Sequence, residues 1–178
     1  MRTDIVFTLT GPDKIGIVED VTKVLLGLDG NVDTSRMARL GGEFAILMLV
    51  SLPADKCSDV EPAFSHLAEQ GYRVSVSETD PARAQTNAGW LAYQVEVQGA
   101  DHEGIIHDVA AGLSQCGINI ESLTTGITRA PMSGTPLFTM TALVMVPPGL
   151  ADSDWMEALD ETGRESGVDI KVSVADQA

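Results

Sequence analysis

The chain has 178 residues, room for one ordinary domain or two small ones, and its 44% apolar content excludes a disordered polymer. Only eight residues are aromatic, so any core must be built mainly from Val, Leu, Ile, Ala and Met. Twenty-six acidic residues against eleven basic ones give a net charge of −15 with no Lys/Arg cluster, which argues against direct nucleic-acid binding.

In chain order, Asp4 to Thr10 alternates with Ile5, Phe7 and Leu9 on one side, the pattern of a half-buried strand. Ile17, Val21, Val24, Leu25 and Leu28 then fall on one helical face. Two strands joined by Gly41-Gly42 come next, and the second, Phe44 to Val50, is apolar on both faces, as a central strand is. Cys57, Val60, Phe64 and Leu67 mark a second helix ending at Gly71, and Tyr72, Val74 and Val76 close the unit as a strand. Residues 80–89 carry breakers and no apolar period, which predicts a linker. The same order then recurs. Leu91, Tyr93, Val95 and Val97 alternate; Ile105, Val109, Leu113 and Cys116 form a stripe; Trp155, Leu159 and Thr162 mark a weaker helix; Ile170, Val172 and Val174 end the chain's pattern.

The recurrence is a true repeat. Residues 11–35 align without a gap on 99–123, and eight of those 25 positions are identical: Gly11/Gly99, Asp13/Asp101, Gly16/Gly104, Ile17/Ile105, Asp20/Asp108, Val21/Val109, Leu25/Leu113 and Asn31/Asn119. Val18/Ile106, Val32/Ile120, Asp33/Glu121 and Thr34/Ser122 are close exchanges. The offset grows from 88 to 94 before Phe138 and Pro147, which places a six-residue insertion in the Pro/Gly-rich loop around 130–136. The expected domains are therefore 1–79 and 90–178. Each is an α+β, ferredoxin-like βαββαβ module with an antiparallel sheet and both helices on one face. Met37, Ala45, Leu47 and Leu49 leave the other face partly apolar, which predicts association of modules.

No nucleophile elbow, phosphate loop, dinucleotide fingerprint or zinc-protease motif occurs, so no enzyme, metal or cofactor is expected. His102 and His107 are five apart and do not share a helical face. Asp152 and Asp154 suit the start of a helix. Cys57 and Cys116 stand alone and are expected to be free thiols. Met1 to Asp4 lacks the basic start of a secretory signal, and no run reaches the roughly 18 apolar residues of a membrane span, so a cytoplasmic location is expected.

The site-like signal is the duplicated loop, Thr10-Gly11-Pro12-Asp13-Lys14-Ile15-Gly16-Ile17 and Gln98-Gly99-Ala100-Asp101-His102-Glu103-Gly104-Ile105. Asp13 and Asp101 could be helix caps. Glycine this early in a helix costs roughly 0.5–1 kcal/mol against alanine, and close approach of a backbone or small ligand would explain Gly16 and Gly104. Asn31 and Asn119 could offer an amide to a ligand or serve as turn residues. From the pattern alone, ligand binding and a purely structural role both stand. Arg36, Arg39 and Glu43 flank the hairpin as exposed charges or partner contacts.

These segments resemble the ACT domain, a small βαββαβ module. The stretch Gly30-Asn31-Val32-Asp33-Thr34-Ser35-Arg36-Met37-Ala38-Arg39-Leu40-Gly41-Gly42-Glu43-Phe44-Ala45-Ile46-Leu47-Met48-Leu49-Val50, with Thr10 to Val18 before it, is similar to the glycine cleavage system transcriptional repressor family. The second copy resembles ACT domains in general. The resemblance implies a non-catalytic regulator that binds a small amino acid, glycine or serine, between paired modules and modulates a partner transcription factor as a homodimer. It assigns ligand binding to Asp13, Lys14, Gly16, Ile17 and Asn31, and to Asp101, His102, Gly104, Ile105 and Asn119. Ile15 and Glu103 stand where such loops often carry proline, so the second loop has an altered polarity. A ligand-independent adaptor that dimerises or docks on a metabolic enzyme is the alternative.

Overall fold

The computed structural model describes residues 1–80, 86–130, 134–150 and 152–175, and the chain divides into two units, Met1–Gln85 and Thr86–Ala178. In the first, strand β1 (Arg2–Pro12) is followed by helix α1 (Ile17–Gly27), strands β2 (Asn31–Leu40) and β3 (Glu43–Pro53), the short helices α2 (Cys57–Ala63) and α3 (Ser65–Ala68), and strand β4 (Arg73–Glu78). In the second, β5 (Leu91–Ala100) leads to α4 (Ile105–Gln115), β6 (Asn119–Arg129), β7 (Pro136–Val146), α5 (Asp152–Glu165) and β8 (Val168–Val174). Each unit holds one antiparallel sheet, in the orders β2-β3-β1-β4 and β6-β7-β5-β8. Each is a βαββαβ module, as the periodicity predicts.

Burial follows that alternation. Ile5, Phe7 and Leu9 of β1 and Ile46, Met48, Val50 and Leu52 of β3 pack against Ile17, Val21 and Leu25 of α1 and Val60, Phe64 and Leu67 of α2–α3. The second core repeats this, with Tyr93 and Trp155 in edge-to-face contact at 5.3 Å. The helices thus cover one face. On the other face Met37 and Leu47 are exposed.

The structure alters the expected elements in three places. The helix expected over Cys57–Gly71 is two short helices preceded by a 3-10 turn, Ala54–Lys56, with the break at Phe64. Pro62 has no N–H for the helical ladder and its ring crowds the preceding turn. The weaker pattern in the second copy gives the longest helix, α5. Asp152 and Asp154 lie in its first turn. Leu91 and Val174 share the inward parity of Tyr93 and Val172 but are exposed, at the outer ends of their strands. Of the predicted linker, residues 81–85 lie outside the described residues, and Trp90 N–H closes a turn on the Asn87 carbonyl. Residues 131–133 of the predicted insertion also lie outside them; it falls between β6 and β7, where the Ala130 N–H bonds the Thr135 carbonyl. Cys57 and Cys116 are free thiols, both half-buried. Burial and nearby carboxylates raise the Cys57 pKa.

Candidate functional site

The duplicated loop carries the chain from the end of a central strand to the start of a helix. Asp13 N–H donates to the Gly42 carbonyl at 2.9 Å, and Asp101 N–H donates to the Pro136 carbonyl at 3.2 Å. These bonds anchor the loop to the neighbouring β-hairpin in each module. Gly16 and Gly104 occupy the cap position before α1 and α4, with φ of 92° and 99°. Their carbonyls accept from Asp20 and Asp108 N–H at 2.9 and 3.0 Å. Ile17 and Ile105 follow as buried core anchors.

This geometry corrects two sequence expectations. Asp13 and Asp101 are not the caps: the cap residues are the glycines, and neither helix has a side-chain cap. Nor is close approach needed to explain the glycines. A Cβ on Gly16 would meet nothing within 4 Å, and one on Gly104 only an Asp108 oxygen at 3.7 Å. The positive φ is the requirement, since L side chains are disfavoured there. Close approach does explain the other shared glycines of these loops. A Cβ on Gly11 would fall 2.5 Å from the Tyr72 ring, and one on Gly99 2.7 Å from Val168 Cγ1.

Lys14 and His102 play matching structural parts. Lys14 Nζ donates to Gln70 Oε1 at 2.8 Å, pairs with Asp20 at 3.1 Å, and lies 5.7 Å from the centre of the Tyr72 ring. His102 Nε2 lies 2.7 Å from the Ser166 carbonyl oxygen and Nδ1 2.9 Å from that of Glu103. Ser166 Oγ donates to Asp108 at 2.9 Å. In both modules the residue after the loop aspartate and the shared acid of the first helical turn tie the loop to the end of the second helical segment. The His102 pKa is raised by the Glu103 and Ser166 carbonyls, against the opposing effect of burial, with the charges of Asp101 and Asp108 adding to the rise.

The modules differ at the end of their edge strands. Arg39 Nε pairs with Asp13 at 2.6 Å, across the mouth of the first loop. The repeat places Ile127 where Arg39 stands, and Asp101 has no salt bridge among the described residues. An open groove of about 640 Å³ lies there, lined by Asp101 to His107 on the loop and α4, and by Thr125, Gly126, Ile127 and Phe138. Four of the five proposed second-module residues, Asp101, His102, Gly104 and Ile105, meet in it. Asn119 does not.

Asn31 and Asn119 open the edge strands at the opposite end of each sheet. Asn31 pairs with Ser51, which faces Asp4, whereas the loop follows Pro12, which faces Glu43. That separation is eight residues of β1, roughly 26 Å at the strand rise. Within one module the structure therefore does not bring Asn31 to Asp13, Lys14 or Gly16. Asn31 Nδ2 donates to Asp33 at 2.7 Å, beside a β-bulge that recurs in the second copy after Ile120. Sequence reasoning missed Gln70, Ser166 and Ile127. The signal for Ile127 was available in its mismatch with Arg39 at the repeat offset.

Among the described residues, no three His, Cys, Asp or Glu side chains group as metal ligands, and no helix is long and apolar enough to cross a membrane. Residues 3–77 match the ACT domain family. None of the curated proteins matches the chain. The crystal structure of an unknown protein from Galdieria sulphuraria is 34% identical, with 99% of this chain and 100% of that one aligned at a TM-score of 0.87. A candidate glycine cleavage system transcriptional repressor shares the fold at 23% identity, with 99% of each chain aligned and a TM-score of 0.72. The first module therefore belongs to the ACT domain family, and the second repeats its βαββαβ architecture, so the chain is a tandem of two such folds.

Proposed function

We propose that the chain is a non-catalytic sensor of a small amino acid, glycine or serine, that modulates a partner transcription factor. The observation that supports this best is the groove at the start of α4. It gathers Asp101, His102, Gly104 and Ile105, with uncapped helix amides beside it. Such amides accept a carboxylate, and the Asp101 carboxylate suits an ammonium. Asp13, Lys14, Gly16 and Ile17 form the related first-module loop, with Asn31 and Asn119 acting from the strand start of a paired module. The proposed setting is a homodimer in the cytoplasm.

A melting screen against the twenty amino acids tests the reading. A ligand at about 100 times its Kd adds roughly 2.7 kcal/mol, a shift of many degrees. A selective rise for glycine or serine that is lost in Asn31→Ala or Asn119→Ala supports the sensor. No rise at millimolar concentration overturns it. The adaptor reading is favoured by a different observation: the Arg39–Asp13 pair occupies the first loop, while Leu40, Leu47 and Ile127 leave apolar surface exposed.

A further inference from the structure

His102 holds two acceptors at once. A carbonyl oxygen can only accept, so the bonds to Glu103 and Ser166 form together only when both ring nitrogens carry hydrogen, the imidazolium state. A neutral ring keeps one N–H and turns a lone pair toward the other carbonyl. Lys14, at the same place in the first module, holds Gln70 and Asp20 through an ammonium, which has three N–H donors and no tautomer to choose. One module is thus fastened by an imidazole and its copy by an ammonium.

We propose that His102 is a proton-operated latch: protonated, it holds the β5–α4 loop and the turn after α5 through both bonds at once, and deprotonated, it gives up one of them, which loosens that loop and reshapes the groove it lines. The charges around it favour the closed form. Asp101 and Glu103 belong to its own loop, and Asp108 comes from α4, held by Ser166 Oγ. From the turn after α5 the Ser166 carbonyl faces it, while Arg164, two residues earlier, is engaged with Asp160 and Glu161. His107 lies on α4 along the same groove, and β6 and β7 line it with the uncharged Thr125, Gly126, Ile127 and Phe138. Because the folded pKa is raised above 6.5, the latch's contribution is complete below that pH and is lost as pH rises through the folded value. The latch acts on the loop itself and does not depend on a ligand being bound.

The test is a side-chain titration of the three histidines by NMR, with amide exchange of residues 101–105 and 13–17 followed from pH 5.5 to 8.5 and corrected for intrinsic rates. The expected result is a His102 midpoint above 6.5. The second loop should lose protection at that same midpoint while the first stays level. His102→Lys should give a second loop whose protection no longer varies with pH, and His102→Gln one that is unprotected throughout. A His102 midpoint at or below 6.5 overturns the latch. So does parallel behaviour of the two loops, or full protection in His102→Gln.

Discussion

Replacing Gly104 by alanine puts a Cβ on a residue held at φ 99° and ψ −18°. The nearest atom to that Cβ is Asp108 Oδ2, at an ordinary contact distance of 3.7 Å, so no clash contributes. The whole cost is conformational, about 1–2 kcal/mol for an L residue in the left-handed region. Reduced freedom of the unfolded chain offsets about 0.4–1 kcal/mol of it. The net loss of about 1 kcal/mol lowers the melting temperature of a unit this size by roughly 4–8 °C. Both tryptophans, Trp90 and Trp155, lie in the second unit, so their fluorescence in the full chain follows the affected module. Asparagine, which tolerates positive φ, should fall between glycine and alanine. D-Alanine at position 104, introduced by semisynthesis, should equal or exceed glycine, because its preferred φ is positive. If D- and L-alanine destabilise equally, space and not φ governs the position, and the argument for both loop glycines fails.

Two further outcomes follow from particular contacts. The Arg39–Asp13 pair is largely exposed, so a double-mutant cycle of Arg39→Ala and Asp13→Asn in chemical denaturation should give a coupling of only about 0.2–1 kcal/mol. A coupling above 2 kcal/mol would show that the pair is far less solvated than its geometry indicates. Gly163→Ala and Gly27→Ala should act in opposite directions in thermal melts followed by circular dichroism. The first forces a Cβ to 2.9 Å from the Val168 carbonyl and 3.0 Å from Ile170, an overpacking cost of about 1–3 kcal/mol that exceeds the gain in helix propensity. The second meets nothing within 4 Å and should stabilise by about 0.4–1 kcal/mol; equal signs would refute the packing drawn for α5.

The repeat, the element order and most of the core are properties of this sequence, because burial selects side chains by period. Ile5, Phe7 and Leu9 alternate and Ile17, Val21 and Leu25 recur along a helical stripe, and all of them are buried. That logic weakens where small residues do the packing. Gly112 meets Thr162 across the α4–α5 contact, and Gly163 lies against β8, so α5 is long although its apolar stripe is thin. The candidate site was legible as a duplicated loop but not as an arrangement. Asp13 and Lys14 sit beside Gly16 in sequence, yet what they bond comes from Arg39, Gln70 and Asp20, and His102 is held by Ser166, 64 positions away. Asn31 recurs in register with the loop yet stands at the far end of its sheet, because α1 runs back along the module before β2 begins. Local sequence determines which elements form and which residues face inward, since those depend on dihedral preference and hydrophobic period. Only the tertiary structure decides that one loop is bridged by an ion pair and its copy lines an open groove, because that depends on which side chain the adjacent edge strand delivers.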